Sequence, residues 1–183
     1  MLVALATLSS CTGQDGEEPP EAVSSEAVSS ETADENGSAV DTLVQTGLAQ
    51  LEAGDNAAAR GTFASVLALD PDNVLGHYNL GVIEQRAGRD AAALESYDAA
   101  LATDPDHVPA LFNKAILLET SDLPGAVELY RTVIDLDEER AAAHMRLGFA
   151  LVHLGEKVEG EAALAEGLRL DPAMAQVEAP RYD

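Results

Sequence analysis

The chain has 183 residues, 46% of them hydrophobic but only 4% aromatic and none tryptophan, a content rich in Ala, Leu and Val that suits one core of closely packed helices better than a strand-rich sandwich. With 33 acidic against 10 basic residues, a net charge of −23 and no Lys or Arg before Arg60, it repels phosphate backbones, so a nucleic-acid partner is not expected, and it docks on anionic lipid only if a covalent lipid overrides the repulsion. A single cysteine, Cys11, excludes an intramolecular disulfide and a cysteine zinc cluster.

Leu2 to Leu8 form an apolar run too short to span a bilayer, followed by Leu8-Ser9-Ser10-Cys11. This arrangement resembles the lipobox of prokaryotic lipoproteins. The resemblance implies cleavage before Cys11, a diacylglycerol on its thiol, and a protein anchored by lipid in the cell envelope, outside the cytoplasm. Residues 1–10 then read as a truncated signal-peptide-like segment, because Met1 leads into the apolar run without the basic residues that begin such signals. Residues 11–37 are rich in Glu, Ser, Pro and Gly, with a doubled Glu-Ala-Val-Ser-Ser at 21–30. Having little to bury, they are expected to form a disordered acidic linker.

From residue 38 to 174 the sequence repeats. Asp70-Pro71-Asp72-Asn73, Asp104-Pro105-Asp106-His107 and Asp171-Pro172-Ala173-Met174 recur at steps of 34 and 67 residues, the second being 34 plus 33. The units are 40–73, 74–107, 108–140 and 141–174, with a tail at 175–183. Each is two helices long: apolar residues keep helical spacing, as at Leu80, Ile83 and Ala87 and again at Ala93, Tyr97, Ala100 and Leu101. Turn residues split each unit at Gly54-Asp55, Gly88-Arg89-Asp90, Ser121-Asp122 and Gly155-Glu156. Ser38 with Asp41 reads as a capping-box-like start, Asp55, Asp90 and Asp122 as caps of second helices, and Pro124 as a first-turn proline.

Several fixed positions resemble the tetratricopeptide repeat family. A small residue stands in each first helix (Gly47, Gly81, Ala115, Gly148) and another early in each second helix (Ala59, Ala93, Ala126, Gly160). A large residue follows four positions later (Phe63, Tyr97, Tyr130, Leu164), and Pro71, Pro105 and Pro172 close three units, with Glu138 at that place in the third. The resemblance implies an all-α fold, a right-handed α-solenoid of four repeats made of eight antiparallel helices, and a protein-interaction role without catalysis. Gly61, Gly160 and Gly167, inside second helices, are expected to soften the two ends.

In this family the first helices line a concave groove for a protein or peptide client. Carried over by position, the groove is Val44, Gln45 and Leu48; Tyr78, Asn79, Val82 and Arg86; Phe112, Asn113 and Ile116; Met145, Arg146 and Phe149. A polar row of Gln45, Asn79, Asn113 and Arg146 lies between apolar rows, and the asparagines could bond an extended peptide backbone. Arg146 after Asn113 resembles the carboxylate clamp of chaperone-binding members, with Tyr78, Val82 and Ala142 where its lysines would stand.

No nucleophile, base and orienter share a motif, no glycine-rich phosphate loop follows a strand, and the Asp-rich turns lack the glycine and glutamate of a calcium loop. His77 and His144 share one repeat position on a packed face and read as core residues. The expectation is therefore no catalysis, no cofactor and no metal. The leading function is a lipid-anchored adaptor in a cell-envelope assembly. The alternative is a self-associating or subunit-stacking structural component, in which a second copy or a different subunit stacks on the last helix with its Leu164 and Leu168.

Overall fold

A few polar side chains set the helix ends in this chain. The computed structural model describes residues 25–182, which form α1 (Ser25–Glu52), α2 (Asn56–Leu69), α3 (Val74–Arg86), α4 (Asp90–Thr103), α5 (Val108–Leu118), α6 (Leu123–Leu136), α7 (Ala141–Leu154) and α8 (Lys157–Leu170), then a 3-10 turn at Pro172–Gln176. No strand occurs among the described residues. Asp55 Oδ1 accepts the amide of Ala58 at 3.0 Å, Asn73 Oδ1 that of Gly76 at 2.9 Å, and Asp122 Oδ1 that of Gly125 at 3.1 Å. Each satisfies a first-turn donor that has no partner within its helix. At α4 the expected cap differs: Arg89 holds the N-cap position and Asp90 is the first helical residue, making no side-chain cap bond. There its charge still faces the positive end of the helix.

Helix α1 begins earlier than expected. Residues 25–37, read from the sequence as linker, are helical, and Ser38 lies inside the helix, its carbonyl accepting the Thr42 hydroxyl at 2.8 Å. Once the face bearing Val40 and Val44 is buried, each residue added in front gains a hydrogen bond without a new nucleation penalty, and no proline after Pro20 interrupts the stretch. The signal-like segment 1–10 and Cys11 lie outside the described residues.

Small residues fix how each helix pair crosses. A Cβ on Gly47 would lie 2.7 Å from the Phe63 ring, one on Gly81 2.5 Å from the Tyr97 ring, and one on Gly148 2.6 Å from Leu164. In the third repeat, Ala115 and Tyr130 are both fully buried in one cluster. Each large side chain fills the notch that its small partner leaves, which sets the crossing point at crystal-like packing density. Gly160 and Gly167 serve the same end: their Cβ atoms would meet Gly148 O at 2.9 Å and Ala141 O at 3.1 Å. They are therefore close-approach residues of the α7–α8 pair, not merely soft spots.

Gly61 differs, since nothing lies within 4 Å of its would-be Cβ. Gly61→Ala should raise stability by about 0.5 to 1 kcal/mol by removing backbone entropy from the unfolded chain. Chemical denaturation reads the change, and a loss of stability would show that α2 is not a regular helix there.

Across the first two repeats, Glu84 is 6% exposed and receives Arg60 Nε at 2.9 Å and Arg89 Nε. The hydrogen bond from Arg89 holds its carboxyl below the usual range, against burial and with help from Arg60. The repeats stack in chain order, each helix from α2 to α8 packing on the next.

Candidate peptide-binding groove

The residues assigned to the groove divide by exposure. In the first repeat Val44 is buried, Leu48 packs on the cluster of Phe63 and Val66, and Gln45 stands exposed beside Thr42 and Ala49. Tyr78 and Val82 on α3, Phe112 and Ile116 on α5, and Phe149 on α7 are half-buried, and Met145 is buried. The Tyr78 ring lies 6.1 Å from that of Tyr97 and 5.0 Å from His107. Phe112 meets Tyr130 edge-on at 5.8 Å and carries the Arg140 guanidinium 5.2 Å from its centroid. Aromatic neighbours and a cation over the face hold these rings in place while one side stays open.

The polar row is not arranged to grip a peptide backbone. Asn79 is 4% exposed and its Nδ2 donates to Leu75 O of its own helix at 2.8 Å. Asn113 Nδ2 donates to Tyr97 Oη at 3.3 Å, and that hydroxyl donates to Gln85 Oε1 at 2.7 Å. One repeat later, Arg146 Nη1 donates to Glu119 Oε2 at 2.8 Å while Tyr130 Oη donates to Glu119 Oε1 at 2.7 Å. Gln85 and Glu119 are 34 positions apart, and Asn113 and Arg146 are 33 apart. The same lock therefore recurs at two successive repeat junctions. In the first repeat the equivalent places hold Leu51 and Phe63, so Asn79 finds no side-chain partner and turns to its own helix, since a buried amide must be satisfied.

These locks correct three expectations. Asn79 is tied to its own helix and Asn113 to Tyr97 of the helix before it, and Arg146 is paired with a carboxylate that is 5% exposed, so the clamp-like reading of Arg146 fails. Arg86, exposed at the end of α3, forms no ion pair among the described residues and is near enough to Tyr78 and Tyr97 to act on both phenols. Burial pushes the Tyr97 phenol up to about 12. His77 and His144 also differ from core residues: half-buried, they donate through Nε2 to Pro71 O at 2.8 Å and Glu138 O at 2.9 Å, closing the preceding turns.

Sequence reasoning missed the tail. Phe112, Ile116, Met145, Arg146 and Phe149 border a cavity of about 280 Å³ together with Met174, Val177 and Pro180. Tyr182 packs against the Ala115–Tyr130 cluster, its ring 4.9 Å from His153. Burial, then the Glu119 charge, pushes its phenol up, and Arg146 opposes them. The only signal in the sequence was three apolar side chains spaced through a polar tail. The last helix also differs from expectation: Leu164 is half-buried against Gly148, while Val158 is 87% exposed and Leu168 37%.

A second cavity, of about 570 Å³, is lined by Arg60 and Arg89 against Glu84 and Glu95, and by small side chains of α2 and α4. Among the described residues no group of His, Cys, Asp or Glu is placed to hold a metal ion, and no helix is long and apolar enough to cross a membrane.

Family models of the tetratricopeptide repeat match residues 44–108 and 117–179. Among solved structures, the chain is similar to MamA 41-end from Desulfovibrio magneticus RS-1 (24% identity, 73% of this chain and 76% of that one, TM-score 0.64). It is similar to PilF of Pseudomonas aeruginosa (25% identity, 75% and 63%, TM-score 0.67). It also resembles YrrB, described as a tetratricopeptide repeat protein with an unusual peptide-binding site (18% identity, 74% and 71%, TM-score 0.62). No curated protein matches the chain in sequence.

Proposed function

The chain belongs to the tetratricopeptide repeat family, and on that premise we propose that it is a protein-binding adaptor that holds an extended client segment against the first helices of its second to fourth repeats. The observation that carries this is the half-buried apolar row of Tyr78, Val82, Phe112, Ile116 and Phe149 on three consecutive first helices, with about 280 Å³ of unfilled space beside it. The neighbouring polar groups are engaged with one another, so recognition rests on apolar side chains entering pockets. YrrB, a protein of the same fold, has a peptide-binding site, which supports the reading.

The adaptor is lipid-anchored at Cys11 and works in a cell-envelope assembly outside the cytoplasm, a reading supported by the Leu8-Ser9-Ser10-Cys11 sequence. A rival reading has the exposed Val158 of α8 stacking on a second copy. One experiment separates them. Phe149→Asp should lower recovery of the co-purifying partner at least tenfold with helical content unchanged, Val158→Asp should leave recovery intact, and Cys11→Ser should move the protein into the soluble fraction and abolish lipid labelling. Retention by Phe149→Asp with loss by Val158→Asp would transfer the function to the stacking surface, and an unlabelled, soluble native protein would remove the anchor.

A further inference from the structure

The chain's own C-terminal segment lies where the adaptor reading places the client. Helix α8 runs antiparallel to α7 and ends at Leu170, and the 3-10 turn that follows packs on both. From there residues 177–182 have no regular secondary structure, yet Tyr182 reaches His153 in the last turn of α7. The 14 residues of α7 rise about 21 Å, a distance that six or seven extended residues cover at roughly 3.3 Å each. The segment thus runs along the groove-facing side of α7 without regular secondary structure after the 3-10 turn, with Met174, Val177 and Pro180 at the cavity and Tyr182 against the core cluster of the third and fourth repeats.

The fit is incomplete in two independent respects. Space of about 280 Å³ remains between the segment and Phe112, Ile116 and Phe149, and Val177 is still 45% exposed. The Tyr182 hydroxyl is buried with no hydrogen-bond partner among the described residues, an arrangement that weakens the seat, because a buried donor left unpaired loses its water without compensation. A segment that covers a binding surface while leaving its pockets part-empty and its own polar group unpaired is built to be displaced.

We propose that residues 174–182 are a resident occupant of the groove that competes in cis with the client, and that the client is an extended segment with apolar, apolar, proline and aromatic side chains at the spacing of Met174, Val177, Pro180 and Tyr182. This rests on the groove reading above. A tethered segment acts at an effective concentration on the order of millimolar, so it hides the groove from weak ligands and admits those that fill the cavity better.

The test uses a fluorescent synthetic peptide of residues 172–183 and the full chain, either native or carrying Val177→Asp with Tyr182→Ala. The double variant should bind the peptide at least tenfold more tightly than the native chain, and adding Phe149→Asp should abolish that binding. A second form, with residues 175–183 replaced by a Gly-Ser run of equal length, should behave like the double variant and covers the case in which the substitutions disturb folding. Equal affinity for native and tail-altered chains, or no binding by either tail-altered form, overturns the proposal. Under those outcomes the groove reading still stands or falls separately, on whether Phe149→Asp loses the co-purifying partner.

Discussion

Tyr130→Ala is expected to lower stability by about 3 to 5 kcal/mol, the range for deleting a buried aromatic ring. The ring is fully buried in the cluster of Ala115, Ala126, Leu147, Ala150 and Leu151 and supports Phe112 edge-on, so truncation leaves a cavity that these small neighbours cannot close. It also removes one of two hydrogen bonds on a carboxylate that is 5% exposed. Tyr130→Phe keeps the packing and loses only the hydroxyl, for about 1 to 2 kcal/mol. Phe63, at the equivalent place in the first repeat, shows that the ring alone fits this notch. Because each repeat contacts only its neighbours, hydrogen exchange should accelerate in α5 to α8 and change little in α2 and α3. A loss below about 1 kcal/mol would mean that the small-against-large pairs do not set the crossing of the helices.

Arg146→Ala should cost about 2 to 4 kcal/mol. That lies at or below the range for breaking a buried ion pair, because Arg146 itself is 32% exposed. The damage comes from the partner: Glu119 stays buried with a single donor, Tyr130. The chain contains its own repair. At the preceding junction the same three positions hold Tyr97, Gln85 and Asn113, a neutral version of the lock. Glu119→Gln combined with Arg146→Asn copies it and should recover stability to within about 1 kcal/mol of the native protein. Urea denaturation of Glu119→Gln, Arg146→Asn and the double variant measures the coupling. Additive losses would show that Arg146 and Glu119 act independently, contrary to their 2.8 Å contact.

The residues assigned to the groove were chosen by position, and the structure shows which of them are already engaged within the protein. The apolar members Tyr78, Phe112, Ile116 and Phe149 were named from the resemblance to the tetratricopeptide repeat family, whose groove positions carry over from one repeat to the next. The polar members could not be assigned, because whether Asn79 meets a ligand or its own helix depends on what stands across the junction. That is Leu51 and Phe63 in one case, Gln85 and Tyr97 in the next. Comparing those positions between repeats would have exposed the difference, since Phe and Leu cannot satisfy an amide and Tyr and Gln can.

What the sequence determined by itself is local or periodic: the helix count from residue 40 onward, the turns, the side-chain caps at Asp55 and Asp122, and the recurrence of one small and one large residue at fixed places in each repeat. Each depends on residues within one repeat, and the repeat was visible as a 34-residue step. Tertiary structure alone decided the start of α1, the inward turn of Asn79, the Arg146–Glu119 pair across a junction, and the course of residues 174–182. These rest on contacts between repeats or on propagation from a packed face. The tail shows this most clearly: nothing near Tyr182 in the sequence points to His153, and the ring arrives there because α8 turns the chain back along α7 and the cluster around Ala115 offers the nearest apolar surface.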